Sequence, residues 1–382
     1  MKIQCPLCDA VELTSAGTSL TCPEPACGLV VPETVEPLDE NTPGNAAEAT
    51  RWQGRARVYA RTERSEEAIA AATHAITMHE RLRAADAAYL DEPWADALVE
   101  RAELLEEQGD VPAFFTDMQA AIAIWKERWR SGKPLDGRKF IHALHRASQA
   151  QERSGEFEAA FRNLTDLIGF AQASASAGLP VDDRLLAECH LSRAFVGTAL
   201  RNDTVLGDFE QAIHLWRDAE HAGRSFDRNR LAVANLNYGI SLYRVEPRGE
   251  RVIDRLEDAI GVWKRMRDAG EPHDRNGWAI ALMYQGLACM AREDIDQTIS
   301  AFSKALEVWD TMIAEGDPID LSSYATALID RGAAYFNQDR KAAAKADFQR
   351  ARQLMERASS DGLGAFERPL AKVREWLQAC EE

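Results

Sequence analysis

The sequence predicts an all-α chain of stacked helical hairpins, finished by one further helix and preceded by a small cysteine-bearing β segment. Three observations predict it. A bulky residue returns as His79, Trp125, Phe170, Trp216, Trp263, Trp309 and Met355, at spacings of 46, 45, 46, 47, 46 and 46 residues. Hairpins repeating at such a period stack, because one alone cannot bury its apolar side. Ala and Leu outnumber Val and Ile in a chain of 46% hydrophobic and 28% charged residues, the balance of a helical protein with an ample core. Cys5, Cys8, Cys22 and Cys27 sit together at the start, apart from everything with helical periodicity.

The first segment sets Cys5-Pro6-Leu7-Cys8 and Cys22-Pro23-Glu24-Pro25-Ala26-Cys27 on either side of thirteen residues, enough for one β-hairpin. Strands are expected at Val11 to Leu13 and Thr18 to Thr21 around a Ser15-Ala16-Gly17 turn, with Leu29 to Val31 as a third. Four thiolates at about 2.3 Å satisfy a zinc ion tetrahedrally and leave no position open for chemistry, so one structural zinc per chain is expected. Disulfides or unbound thiols are the alternative, which the expected cytoplasmic context disfavours. The segment resembles a zinc ribbon. Gly28, directly after the fourth cysteine, fits that family, in which backbone amides near the turn point at the sulfurs; four residues between the second pair, where two are the rule, depart from it. Ribbons of this family touch nucleic acid or protein. Lys2 is the only base in residues 1–45, against Asp9, Glu12, Glu24, Glu33, Glu36, Asp39 and Glu40, which points to protein. The ribbon is placed at 1–33. Residues 34–47, with Pro37, Pro43 and Gly44 among acidic residues, read as an acidic, flexible linker.

Residues 48–362 carry the repeats. Trp52, Ala56, Tyr59, Ala68, Ala72 and Ala75 in the first hairpin match Leu328, Gly332, Tyr335, Ala344, Phe348 and Ala351 in the last. Small residues stand where two helices cross and large ones between hairpins, which resembles the tetratricopeptide-repeat family. One small position recurs as Ala75, Ala121, Ala212, Ala259, Ala305 and Ala351, and only the third hairpin breaks it, with Asp166. That family's period is about 34 residues, so the surplus here lengthens both helices. HEAT-like pairs share the longer period and are the structural alternative. Second helices are expected to end at Gly132, Gly178, Gly223, Gly270, Gly316 and Gly362. Asp136, Asp182, Asp227, Asp274 and Asp320 then cap the next helices, with Pro134, Pro180, Pro272 and Pro318 in the turns. An insertion near Glu246-Pro247-Arg248-Gly249 is taken up around hairpins five and six. Within 363–382, Phe366 to Cys380 is amphipathic, with Leu370, Val373, Trp376 and Leu377 on one side, and reads as the capping helix. The fold class is therefore an α-α superhelix, a tetratricopeptide-like solenoid of about seven hairpins plus a capping helix, with a small N-terminal β zinc ribbon.

The same sequence narrows function by what it lacks. No phosphate loop, His-Glu-x-x-His, Gly-x-Ser-x-Gly or dinucleotide glycine fingerprint is present, so no enzyme is expected. A net charge of −17 disfavours gripping phosphate backbones, and nucleic acid is an unfavoured partner. No run of 18 apolar residues and no signal-like start at Met1 to Cys8 appear, so no membrane span and a cytoplasmic location are expected. Cys189, Cys289 and Cys380 fall in helical pattern and read as buried reduced thiols.

The tetratricopeptide resemblance implies a protein or peptide ligand on a concave face lined by the first helix of each pair. Asp96, Glu100, Glu103 and Glu107 share one helix face, opposite in sign to Arg57 and Arg61, which are flanked by Arg51, Arg55 and Arg64. They form either a solvated stripe or a two-signed groove that orients a charged peptide. His145, Asn237, Tyr284 and Asp330 hold corresponding first-helix positions later on. His142 and His145 lack the further partners a metal needs, and the Trp series reads as packing between repeats. The expected function is a non-enzymatic interaction scaffold with the structural zinc ribbon as a second interaction module. The alternative is a regulator whose ribbon contacts transcription or translation machinery while the repeats sense a peptide or small ligand.

Overall fold

Short polar side chains start most of these helices, because an Asp or Asn oxygen accepts backbone N–H groups that the first turn leaves unpaired. Asn45 caps α1 (Ala46–Arg61), Asp136 caps α5 (Gly137–Ser154), Asp182 caps α7 (Asp183–Ala199), Asp227 caps α9 (Arg228–Val245), Asp274 caps α11 (Arg275–Ala291) and Asp320 caps α13 (Leu321–Asn337). In the computed structural model these alternate with α2 (Ser65–Ala85), α4 (Val111–Arg130), α6 (Phe157–Ser176), α8 (Val205–His221), α10 (Glu250–Asp268), α12 (Ile295–Glu315) and α14 (Lys341–Ser360). With α3 (Glu92–Glu107) and α15 (Glu367–Ala379), the described residues form seven paired hairpins and a closing helix, a tetratricopeptide-like array. The structure describes the chain except residues 1–2, 9–11, 17–18, 25–26, 28, 40–41, 87–88, 90–91, 178–180, 203, 361–365 and 382. Gly28, Gly178, Pro180 and Gly362, singled out above, lie outside the described residues.

The chain divides into two compact units, residues 1–171 and 172–382. In the first, β1 (Thr14–Ala16), β2 (Ser19–Thr21) and β3 (Val30–Val31) form an antiparallel sheet in that order. The hairpin lies further along the chain than the sequence indicated. Glu12 and Leu13 pair with Gln4 and Ile3 beside the first cysteine pair, so β1 begins after them and takes in Ser15 and Ala16, which were expected in the turn. Val11 and Gly17 lie outside the described residues.

This sheet leans on α1. Cys5, Leu29 and Val31 share a core with Ala56, Val58, Tyr59, Ala68, Ala71 and Ala72. The approach is close at Gly54, where an added Cβ would stand 2.9 Å from Leu7 Cγ and 3.2 Å from Leu29 Cδ1. Described residues from Pro32 to Gly44, which include most of the 34–47 stretch read above as linker, run against the first hairpin. The Tyr59 hydroxyl donates to the Pro32 carbonyl, Arg64 to that of Glu33, and Arg81 to those of Asp39 and Thr42. Further along the unit, Trp125, Phe140, Phe170 and Trp129 form a chain of ring contacts between 5.1 and 6.1 Å.

In the second unit the recurring bulky residues Trp216, Trp263, Trp309 and Met355 are all buried in one continuous core. Leu370, Val373 and Leu377 of α15 close it, and Trp376 stacks on Phe348 at 5.6 Å. The extra residues Glu246 to Gly249 fall in the turn inside hairpin five, between α9 and α10.

Two polar devices recur that the apolar pattern does not reveal. The first joins the two helices of a hairpin: Arg331 forks onto Asp347 at 2.8 and 2.7 Å and reaches Ser303 Oγ at 3.0 Å. In the first unit Arg101 does the same to Asp117, both at 2.7 Å, and to Thr73 at 3.0 Å. In hairpin four Arg193 and His190 share Asp208; burial works against that carboxylate, yet these hydrogen bonds hold it below the usual range. The second device ties successive turns. Asn229 Oδ1 accepts from the Trp263 indole and from the Asp274 amide, both at 3.0 Å, while its Nδ2 donates to the Pro272 carbonyl. Asn276 repeats this with Trp309, Asp320 and Pro318.

Asn229 and Asn276 each stand two residues after the capping aspartate. Arg184 holds that place in hairpin four, and the indole N–H of Trp216 is accordingly buried without a hydrogen-bond partner. Arg184→Asn supplies the missing acceptor. It is expected to stabilise the protein by about 1 kcal/mol, read as a rise of roughly 2–4 °C in thermal midpoint; an unchanged or lower midpoint would remove the Asn tie from the account of stability.

Candidate binding faces and a candidate metal centre

The four N-terminal cysteines converge. Their sulfur atoms all lie within 4.8 Å of one another, with Cys5 to Cys27 at 3.5 Å and Cys8 to Cys22 at 3.6 Å. Ligands about 2.3 Å from a tetrahedral ion stand roughly 3.8 Å apart, so the cluster has the span a metal requires. Burial pushes the Cys22 and Cys27 thiols up, while backbone amides of Leu7 and Cys8 at the Cys5 sulfur, Glu24 at Cys22 and Leu29 at Cys27 act the other way and leave Cys5 lowered. Among the described residues this is the one group of three or more candidate metal ligands, and His142 with His145 does not form another.

On the first helices of the first unit, the charged stripe is drawn into ion pairs between neighbouring hairpins. Arg57 Nε donates to Glu100 at 2.9 Å, and Lys139 Nζ meets Asp96 at 2.6 Å. Glu106, which sequence reasoning passed over, takes Arg146 at 2.6 Å and Arg153 at 2.7 Å. Burial raises the Glu100 carboxyl against the pull of Arg57. Arg61 and Glu107 are exposed and Glu103 half-buried, without ion-pair partners among the described residues. His145 is half-buried beside the Gln149 amide at 3.3 Å, and burial followed by the nearby His142 lowers its pKa, which keeps it neutral at pH 7.

On the first helices of the second unit, the sequence-selected residues divide. Asn237 turns its Nδ2 onto the Val233 carbonyl of its own helix at 2.8 Å. Tyr284 meets Tyr243 edge to face at 5.8 Å. Asp330 lies close enough that its charge, after burial, raises the Tyr243 phenol. Its carboxyl has no hydrogen-bond partner among the described residues, and burial pushes it up to about 6 against the attraction of Lys372. Tyr243, Tyr284 and Asp330 therefore bring two aromatic faces and one acid without a hydrogen-bond partner together on α9, α11 and α13. Sequence reasoning missed Tyr243 because it lies almost two turns beyond Asn237; its signal was an aromatic residue on the turn facing Tyr284 in the following repeat.

No protein-family model and no curated protein matches the chain. Solved structures do. BtubC from P. vanneervenii is 17% identical, with 65% of this chain and 92% of that chain covered at a TM-score of 0.44. A tetratricopeptide repeat protein from Parabacteroides merdae is 12% identical, with 88% and 99% covered at 0.41. A Rap protein complexed with Competence and Sporulation Factor is 13% identical, with 84% and 78% covered at 0.35. At these scores the likeness adds nothing to what the paired helices themselves show.

The Asp330 carboxyl has a testable signature. Its folded pKa of about 6 stands above the ordinary 3.8, so between those values the folded protein keeps a proton that the unfolded chain has lost. Stability from this group is present below pH 3.8 and is lost as pH rises through 6. Asp330→Asn is expected to match or exceed the parent in thermal midpoint at pH 7–8 and to lose that advantage near pH 4. Parallel melting curves across the range check this, and a constant difference would contradict the assignment.

Proposed function

We propose that this chain is a non-enzymatic protein-interaction scaffold whose first-helix face in the second unit holds a peptide segment carrying a cationic side chain. The observation that carries the reading is the Tyr243, Tyr284 and Asp330 patch. A half-buried carboxyl without a hydrogen-bond partner, beside two partly exposed aromatic rings, suits an ammonium or guanidinium group: the acid supplies charge and the ring faces supply cation–π attraction. The His190–Asp208 pair is buried inside hairpin four and tied to Arg193, away from any open surface, which supports binding over catalysis.

The N-terminal β module, placed at residues 1–33, holds one structural zinc through Cys5, Cys8, Cys22 and Cys27 and closes the exposed end of the first hairpin. Four thiolates with amide support suit zinc and leave no coordination position for substrate. Residues 34–47 join it to an array at 48–362, with 363–382 as the closing helix. Its packing on α1 favours this capping role over a free module that contacts transcription or translation machinery. No helix among the described residues is long and apolar enough to cross a membrane. Seven cysteines without a disulfide suit a reducing compartment such as the cytoplasm.

Selection of a displayed random-peptide library against the protein tests the binding face. Binders enriched in Lys or Arg are expected, weakened about tenfold by Asp330→Asn and by Tyr284→Ala; Lys- or Arg-bearing binders indifferent to both substitutions would refute the assignment. For the metal, elemental analysis is expected to give close to one zinc per chain. Cys5→Ser with Cys8→Ser should abolish it and expose the face of α1, seen as faster amide exchange in α1 and α2. Protein prepared without chelator that carries no stoichiometric metal would sink the zinc reading.

A further inference from the structure

The residue directly after the buried bulky anchor makes an ion pair with the second helix of the next hairpin at three junctions. Lys126, after Trp125, meets Asp166 on α6. Arg217, after Trp216, meets Asp258 on α10 at 2.7 Å. Asp310, after Trp309, meets Arg350 on α14 at 2.5 Å. The partners lie 40 or 41 residues apart. At the junction of hairpins five and six the same two places hold Lys264 and Lys304, like charges with no ion-pair or hydrogen-bond partner among the described residues.

Where those three junctions are bridged, this one opens into a cavity of about 780 Å³ among α10, α11 and α12. At the neighbouring junction, between hairpins four and five, the corresponding pocket of about 270 Å³ is crossed by Tyr238, Glu210 and Arg251 in mutual contact. Trp278 forms part of the wall, in the place held one hairpin later by Tyr324, whose hydroxyl closes onto Asp310 at 2.7 Å. Trp278 is 9% exposed, and its indole N–H is buried with no acceptor. Ile260, Leu282 and Val308 add apolar surface. The other cations on the wall are already paired, Arg267 with Asp268 and Arg275 with Glu315 and Asp317, so among the described residues Lys264 and Lys304 are its cations without an ion-pair partner.

We propose that this cleft is a second docking site, independent of the first-helix face, for an acidic peptide segment of a partner protein. One carboxylate of the segment stands between Lys264 and Lys304 as the absent member of the ladder, and an apolar side chain beside it lies on Trp278. From Glu257 to Arg267 the α10 wall runs about 15 Å, which spans four or five residues of extended chain. Glu257 and Glu307 share the wall, which disfavours a polyphosphate and suits carboxylates carried singly on a peptide.

The test titrates the full-length protein with a capped peptide of sequence Glu-Glu-Leu-Glu-Glu while following the Trp278 indole N–H by NMR, assigned with Trp278→Phe. That signal is expected to move saturably, and the Gln-Gln-Leu-Gln-Gln peptide should leave it in place. Lys264→Asp sets a carboxylate opposite Lys304 as Asp310 is set opposite Arg350. It should leave the thermal midpoint equal or higher while weakening the peptide about tenfold or more. An indole that stays still, an equal response to the neutral peptide, undiminished binding to the folded Lys264→Asp protein, or full competition by millimolar inorganic phosphate would each overturn the proposal.

Discussion

Everything in this molecule depends on one constraint: the apolar side of a two-helix unit has to be covered by its neighbour. The residue that enforces it lies near the end of each second helix, and His79, Trp125, Phe170, Trp216, Trp263, Trp309 and Met355 are all buried. A fully buried large side chain contributes about 2–3 kcal/mol from area alone. Repetition makes such contributions add between nearest neighbours, which is how a quasi-one-dimensional array reaches stability without a central core. The same constraint explains the ends. Helix α15 covers the last hairpin with Leu370, Val373 and Leu377, and the cysteine-bearing sheet covers the first with Leu29 and Val31.

Apolar covering fixes that units stack but leaves their register loose. The polar devices set it. A bidentate Arg–Asp pair joining both helices of a hairpin is a weak source of net stability, since desolvation offsets much of its attraction, yet it is costly to misplace. Arg101 with Asp117 and Arg331 with Asp347 therefore specify how far one helix slides along the other. Between first helices, Arg57 with Glu100 and Lys139 with Asp96 do the same from hairpin to hairpin.

What the sequence made legible follows the range of the interaction. Capping aspartates were readable because each acts on amides two or three residues away, and the cysteines because ligand spacing is local. The period was readable because packing demands one anchor per unit. The seating of the sheet on α1 was not, since Leu7 and Leu29 meet Gly54 across tens of residues and no local pattern marks a glycine as a contact point. The charged stripe looked like a free surface for a related reason: one helix read alone shows its charges and not their partners some forty residues away. Tyr243 escaped notice because its neighbours, Tyr284 and Asp330, come from two other hairpins.

The Asn ties also bear on how such a chain can change over generations. Asn276 gathers an indole, an amide and a carbonyl whose separation is set by the turn from Gly316 to Asp320, so one residue added there displaces two of the three groups at once. Among the described residues, turns inside hairpins carry at most single side-chain ties, such as Arg248 to Glu293, and they already differ in length, from Gly155-Glu156 to the longer stretch before Val205. Insertions are thus tolerated on one edge of the array and resisted on the other, which leaves the permissive edge as the place where new loops can accumulate.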